Sequence, residues 1–344
     1  MYGSSDRVHL LGMINTEPTN TTAADPSRPA ASTLTTTGAG APAGARLGGP
    51  FPDYSSIDVT DPAAQTTTTR YYTHIEPDAA TPDPLPLVIA FHGGGGNMRK
   101  MYNALGFDTG PAPRPYLTVI PQGFGPNHDP ALPQPSGGWN SGQAWTPYQP
   151  QSGPTQDDVN FIDELLVELT RRTAIAGWRI DQSRTYLIGF SNGGMMAYRL
   201  AAERSAEFAA AVIMQAGIGG DPDPADPGLP VHVNHPAAHN AEPVAILQLH
   251  GLLDPGLSLT DAIIPTGLNP RVDLPIVDGV KVWASHNSCD RWPTIEPHPM
   301  GLMRTWGDGE SDTEVKLLTM PSVAHEVPED VLEIIEPFLE SHSK

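Results

Sequence analysis

The stretch Gly189-Phe190-Ser191-Asn192-Gly193-Gly194 decides the fold. It follows the apolar run TYLI (185–188), typical of a buried strand, and opens MMAYRLA (195–201), whose apolar residues have helical spacing. A serine at such a strand-to-helix turn has a strained backbone, and small residues on both sides remove the clashes that the turn would otherwise create. The pattern therefore predicts that Ser191 exposes its hydroxyl as a nucleophile.

Continuous apolar runs alternate with amphipathic stretches over most of the chain. Runs of this kind are typical of strands that helices cover on both faces. They are PLVIAF (86–91), YLTVIP (116–121), TYLIGF (185–190), AAVIM (210–214), VAILQL (244–249) and VKLLTM (315–320). Residues 157–174 and 329–342 have the spacing of helices. Together with the serine turn, the pattern predicts an α/β-hydrolase fold: a mostly parallel central sheet with helices on both faces.

A histidine and a carboxylate must accompany the serine, because its hydroxyl is a weak nucleophile until a correctly oriented histidine accepts its proton. In this fold the acid follows the serine and the histidine comes last. Asp254 follows the fifth apolar run and His325 follows the sixth. Both positions lie at C-terminal strand ends, where open α/β sheets place their sites. We predict the triad Ser191, Asp254 and His325.

Competing residues are less well placed. His92 and His250 each precede a glycine at a strand end and are expected to brace loops through hydrogen bonds, while His286 lies in a polar turn. Asp261 falls well beyond the strand end that Asp254 follows. We therefore assign these residues no part in the triad.

The proline-rich loop 219–243 contains three histidines that could just hold a metal: His232, His235 and His239. A transition metal needs about three ligands in fixed geometry, which such a loop supplies poorly. We expect a solvated loop and neither a metal nor another cofactor.

The run FHGGGGN (91–97) also follows an apolar strand. Its glycines would let main-chain N–H groups point into a cleft and stabilise an oxyanion, and we assign the two donors to the N–H groups of Gly94 and Asn192. A phosphate-binding loop is the competing interpretation, but G-x-x-x-x-G-K-[ST] is absent.

Gly93 and Trp139, the latter in SGGWNSG (136–142), are candidate substrate contacts. Trp139 could equally pack under its loop.

Composition restricts partners and location. With 19 Lys and Arg against 39 Asp and Glu, the formal charge is −20, which disfavours nucleic acid and anionic lipid surfaces. No apolar run approaches the length of a membrane span. Residues 1–52 are rich in Thr, Pro, Ala and Gly and are predicted to be a flexible segment before a catalytic domain at 53–344. No signal peptide is recognisable at the start.

These motifs resemble the esterase family that includes feruloyl esterases and polyhydroxybutyrate depolymerases. The matching pieces are PLVIAFHGGGGN, YLTVIPQG, GGWNSG, DDVNFIDELL, RTYLIGFSNGGMMAYRLA, HGLLDP, VWASHNSCD and VAHEVPED, which cover most of 86–330. The resemblance implies a cofactor-free esterase that is extracellular or periplasmic, and we expect a monomer. Its substrates would be hydroxycinnamoyl or acetyl esters of plant polysaccharide, or aliphatic polyesters.

The chain departs from the family pattern at two positions. Val327 stands where family members commonly have a tryptophan near the acyl site, so it is a third candidate substrate contact. Cys289 usually has a disulfide partner further on, and this chain has no other cysteine, so a free thiol is expected.

Two other functions compete with ester hydrolysis. A serine peptidase of the prolyl-oligopeptidase type shares the fold and the G-x-S-x-G-G turn, but those enzymes normally carry a large accessory domain for which this chain has no room. A catalytically inactive binding protein is disfavoured because all three triad positions are filled.

Overall fold

The computed structural model describes residues 52–62, 65–77, 83–108, 114–142, 157–222, 230–231, 234–261 and 272–344. These residues belong to one compact unit. The predicted flexible segment 1–52 lies outside the described residues except for its last position.

Strands make up most of the regular structure. They are β1 (Tyr54–Asp61), β2 (Thr66–Ile75), β3 (Leu85–Phe91), β4 (Leu117–Pro121), β5 (Phe124–Asn127), β6 (Ser136–Gly138), β7 (Ile180–Phe190), β8 (Ala210–Met214), β9 (Gly219–Pro222), β10 (Pro230–Val231), β11 (Ala245–Gly251), β12 (Val272–Asp273), β13 (Thr294–His298), β14 (Gly301–Trp306) and β15 (Val315–Met320). The α-helices are α1 (Met98–Ala104), α2 (Asp158–Ile175), α3 (Asn192–Glu203), α4 (Ile276–His286) and α5 (Val331–Glu340). Single 3₁₀ turns cover Ser205–Glu207, Pro236–Ala238 and Glu310–Asp312.

The main sheet has ten strands in the order β1-β2-β4-β3-β7-β8-β11-β15-β14-β13. Its centre, from β4 to β15, is parallel. Antiparallel pairs extend it at both edges, β1 with β2 and β13 with β14. The six apolar runs of the sequence are the six parallel strands, so the predicted α/β-hydrolase fold is confirmed.

Helices cover both faces of this sheet. One core cluster joins one face to α2, α3 and α4, and the other joins the opposite face to α1 and α5. Neighbouring residues of β3 alternate between them: Leu87 and Ile89 belong to the first, Val88 and Ala90 to the second. All four are buried, which explains why the strand is apolar throughout.

Local signals fix where the two helices nearest the site begin. Asp157 caps α2, because its carboxylate accepts a hydrogen bond from the N–H of Asn160 at 3.0 Å. Helix α3 begins directly after Ser191. The C-terminal end of β7, in the middle of the parallel strands, therefore carries the predicted nucleophile.

Candidate active site

Ser191 occupies the sharp turn predicted between β7 and α3. Its backbone has φ 54° and ψ −122°, a conformation that costs a non-glycine residue about 1–3 kcal/mol. Its N–H donates to the carbonyl of Met214 at 2.8 Å, which ties the turn to β8. Gly193 is required here because a Cβ at that position would collide with the carbonyl oxygen of Phe91. The turn therefore presses against the end of β3.

His325 connects Ser191 to Asp254. Its Nε2 lies 2.8 Å from the Ser191 Oγ, and its Nδ1 lies 2.7 Å from Asp254 Oδ2. Because a carboxylate only accepts hydrogen bonds, Nδ1 carries the proton and Nε2 is left to accept the hydroxyl proton. The three residues predicted from sequence thus form one continuous hydrogen-bonded chain.

Burial differs along this chain. The side chain of Asp254 is fully buried, whereas that of His325 is 35% exposed. Asp254 Oδ1 also accepts the N–H groups of Gly256 at 2.7 Å and Leu257 at 3.1 Å. These bonds replace water at the carboxylate and fix its orientation, while the histidine remains open to a substrate.

Gln215 holds the two loops of the acid and the histidine together, and sequence reasoning missed it. Its Oε1 accepts the N–H of Gly251 at 2.9 Å, and its Nε2 donates to the carbonyl of Glu326 at 3.3 Å. The residue is fully buried with φ 50°. A single glutamine after an apolar strand gives no sequence signal for this role.

The competing histidines have structural roles. His92 Nδ1 donates to the carbonyl of Gly93 at 2.8 Å, and its Nε2 accepts the N–H of Gly123 at 2.9 Å. His250 Nε2 donates to the carbonyl of Leu257 at 3.2 Å. The prediction that both brace loops is confirmed.

The remaining competitors lie apart from the triad. His286 belongs to the last turn of α4, not to a polar turn as predicted, and donates to the carbonyl of Ala241 at 2.9 Å. Asp261 accepts a hydrogen bond from the hydroxyl of Ser258 at 3.0 Å.

The histidine cluster of loop 219–243 is only partly described. His232 lies outside the described residues, while His235 Nδ1 accepts the N–H of Ala237 at 3.2 Å and caps a 3₁₀ turn. Within the described ranges, no three His, Cys, Asp or Glu side chains are grouped to hold a metal ion.

Cys289 is a half-buried free thiol, and burial raises its pKa to about 11.

The loop that follows β3 lies directly beside the nucleophile. A Cβ built on Gly93 would lie 3.3 Å from the Cβ of Ser191 and 2.9 Å from the ring of Phe190. Gly93 therefore borders the site, with Gly94 next to it in the chain. Asn192 is the first residue of α3. The assignment of oxyanion donors to Gly94 and Asn192 stays a prediction.

The side chain of Trp139 packs under its loop and exposes no surface to the site. Its side chain is fully buried, its Nε1 donates to the carbonyl of His92 at 2.8 Å, and its ring meets Phe91 edge-on at 5.1 Å. Of the two alternatives left open by the sequence, packing under the loop is the one observed. Val327, in contrast, is only half-buried, two residues after His325, and packs against the second core cluster.

Acidification is expected to destabilise the fold through His92. Burial lowers its pKa from an ordinary value of 6.5 to about 4. As the pH falls from 6.5 to 4, the unfolded chain binds this proton before the folded one, so His92 lowers the stability over that range and has no pH-dependent effect above it. The loss attributable to His92 is at most about 3 kcal/mol.

Urea unfolding at pH 7.5 and pH 4.5 measures this effect. His92→Asn should reduce the difference between the two free energies of unfolding relative to the wild type. Equal pH dependence in wild type and His92→Asn would contradict the assignment.

The fold is that of an α/β-hydrolase, and the hydrogen-bonded residues Ser191, His325 and Asp254 lie at the C-terminal edge of its parallel strands. The chain belongs to the phospholipase/carboxylesterase family, whose model matches residues 75–263, more than half of the chain. The family is one of carboxylic ester hydrolases, as the sequence predicted.

Curated relatives support the resemblance to feruloyl esterases. A putative esterase, NocK, of Nocardia uniformis subsp. tsuyamanensis is 29% identical over 208 residues, which are 58% of this chain and 50% of the relative. Feruloyl esterase C of Emericella nidulans is 28% identical over 195 residues, 56% of this chain and 58% of the relative. The matches thus span about half the length of these relatives.

A solved structure shows the same fold. The native crystal structure of pOPH has a TM-score of 0.51 at 14% identity and covers 88% of this chain and 90% of its own. In the part of the chain that the structure describes, no helix is both long and apolar enough to cross a bilayer.

Proposed function

We propose that this protein hydrolyses carboxylic esters through an acyl-enzyme formed on Ser191. The observation that carries the proposal is the hydrogen-bonded chain from Ser191 through His325 to the buried Asp254. This chain begins at a strained turn that holds the Ser191 hydroxyl in place.

In the first step, Ser191 Oγ attacks the ester carbonyl carbon while its proton passes to His325 Nε2. The carbonyl oxygen becomes an oxyanion, which the N–H groups of Gly94 and Asn192 stabilise. His325 then gives the proton to the departing alcohol, leaving an ester of the acyl group on Ser191. Asp254 stabilises the imidazolium that exists between these transfers.

Water completes the reaction by the same steps in reverse order. His325 accepts a proton from a water molecule while the water oxygen attacks the acyl carbon. A second oxyanion then forms at the N–H groups of Gly94 and Asn192. Its collapse releases the carboxylic acid, and the proton returns to Ser191. No cofactor enters this scheme, so chelation is expected to leave the rate unchanged.

The substrate that we propose is a hydroxycinnamoyl ester, an acetyl ester or an aliphatic polyester. The family and the relatives named feruloyl esterase support an ester of a bulky acid. Val327, half-buried and two residues after His325, supports an acyl site with room where related enzymes have an indole.

A substrate panel in the presence of EDTA tests the proposal. It contains p-nitrophenyl acetate, methyl ferulate, polyhydroxybutyrate and a peptidyl p-nitroanilide. We expect hydrolysis of the acetate and of at least one larger ester, with the anilide untouched. Cleavage of the anilide without any ester hydrolysis would overturn the proposal in favour of a peptidase.

Val327→Trp is expected to narrow the substrate range by filling the acyl site. An apolar contact of this size is worth about 10- to 200-fold in kcat/KM. The ratio of kcat/KM for methyl ferulate to that for p-nitrophenyl acetate should fall by a factor within that range. Steady-state kinetics with both substrates measure this ratio.

Val167→Trp, on the exposed side of α2, is the matched control and should leave the ratio unchanged. If Val327→Trp also leaves it unchanged, position 327 does not line the acyl site.

The finer expectations on assembly and location belong to the same proposal. We expect a monomer that acts outside the cytoplasm, in keeping with the resemblance and with a formal charge of −20. Size-exclusion chromatography and cell fractionation test the two expectations separately.

A further inference from the structure

Trp139 links the two main-chain segments to which we assign the oxyanion donors. Its Nε1 donates to the carbonyl of His92 at 2.8 Å, just before the segment that contains Gly94. On its other side, its backbone N–H donates to Asn192 Oδ1 at 2.7 Å, and Asn192 Nδ2 donates to its carbonyl at 3.1 Å. One residue is thus bonded to both walls of the proposed oxyanion site.

The ring of Trp139 has no room to move. It is fully buried, with its plane at 86° to that of Phe91 and the ring centroids 5.1 Å apart. The ring centroid of His92 also lies 5.1 Å away. A shift of the indole would displace the end of β3 from which the glycine loop begins.

The neighbouring residue anchors Trp139 to the body of the domain. Asn140 donates its backbone N–H to Asp158 Oδ2 at 2.6 Å, and its carbonyl accepts from Arg199 Nη1 at 2.7 Å. Asp158 in turn forms an ion pair with Arg70 at 2.6 Å, and their side chains are 0% and 1% exposed. The guanidinium of Arg70 lies 3.9 Å from the ring centroid of Phe161.

This anchor is costly to break, because removing one partner of a buried ion pair leaves an uncompensated charge. The sequence pieces WN and DDV, which the proposed mechanism does not use, meet in it: Trp139 and Asn140 come from one, Asp158 from the other. Their hydrogen bonds run from helix α2 to the residue that follows the nucleophile.

We propose that Trp139 is a positioning residue that fixes the separation of the two oxyanion donors, Gly94 and Asn192. The inference rests on the function proposed above. Donors must lie about 2.7–3.1 Å from the place that the oxyanion occupies. A displacement of about 1 Å can lower the rate by about 100-fold. A brace bonded to both donor segments controls that distance without touching the substrate.

Trp139→Phe tests the inference, because it removes the bond to His92 and part of the ring while keeping an aromatic side chain. We expect kcat for p-nitrophenyl acetate to fall by about 10- to 100-fold with KM nearly unchanged. The inhibition constant of an aryl trifluoromethyl ketone should rise by the same factor. The serine adds to this ketone and creates an oxyanion, so its affinity reports on the donors directly.

Trp283→Phe is the matched control, since Trp283 on α4 is equally buried and its ring contacts Tyr198 of α3 and His286 of α4. It removes the same volume and should lower the melting temperature comparably, with kcat and the inhibition constant unchanged. Equal kinetic losses in both variants would overturn the inference.

Asn192→Ala keeps the inference testable if Trp139→Phe does not fold, because Asn192 is only half-buried. It removes the two bonds to the Trp139 backbone and leaves the Asn192 N–H in place. A tenfold or greater loss in kcat, with a matching rise in the inhibition constant, supports the inference; wild-type values for both overturn it. A failure of the proposed function is distinct, since the wild type would then hydrolyse no ester.

Discussion

Ser191→Ala is expected to lower kcat for ester hydrolysis by about 10⁴-fold or more. The substitution removes only the attacking oxygen, and alanine tolerates the turn at φ 54° no worse than serine does. The fold should therefore persist, with an unchanged circular dichroism spectrum and a melting temperature close to that of the wild type. Initial rates with p-nitrophenyl acetate, measured at saturating substrate, give the loss.

Ser258→Ala is a suitable control for this experiment. Its hydroxyl donates to Asp261 and lies in the loop after the acid, outside the hydrogen-bonded chain. It should retain kcat near the wild-type value. A Ser191→Ala enzyme that keeps a tenth of the wild-type rate would show that another nucleophile acts and would remove Ser191 from the mechanism.

The parallel centre of the sheet and the triad could be predicted because each depends on local sequence. The six central strands are buried on both faces, so each is a continuous apolar run. The triad residues follow three of these strands, and the order along the chain restricts the choice. Hence Ser191, Asp254 and His325 could be selected without knowledge of any contact.

The edge strands were not predicted, because they lack this signal. Strand β2 has the sequence TTTTRYYTHI, whose first four residues are exposed or half-buried, while β13 is exposed at most of its positions. Both pair antiparallel in the outer part of the sheet, β13 as the edge strand and β2 next to the edge strand β1, where one face of the sheet can meet water. Thr-rich or polar strands of this kind resemble loops in sequence.

The role of Trp139 was undecidable from sequence because its partners are distant in the chain. His92 lies 47 residues away and Asn192 lies 53 residues away. Only the fold brings these residues together. It therefore takes the fold to decide that Trp139 packs under its loop and does not line a pocket. The same is true of Gln215, whose bond to Glu326 spans 111 residues.

Asp254→Asn is expected to lower kcat by about 10⁴-fold, through the tautomer of His325 and not through lost packing. Asp254 accepts three hydrogen bonds: Oδ1 accepts the N–H groups of Gly256 and Leu257, and Oδ2 accepts that of His325. An asparagine has one acceptor oxygen and one donor amide in these two places.

The single oxygen of the asparagine can face either the N–H groups of Gly256 and Leu257 or the Nδ1–H group of His325. Placing the amide nitrogen against Gly256 and Leu257 would oppose donor to donor twice, whereas placing it against His325 does so once. The second arrangement is relieved if the His325 proton moves to Nε2, and the ring then cannot accept the serine proton. Asp261→Asn, which lies outside the chain of hydrogen bonds to Ser191, should leave kcat near wild type. Loss of less than tenfold in Asp254→Asn, in a variant with unchanged thermal stability, would show that Asp254 does not set the tautomer.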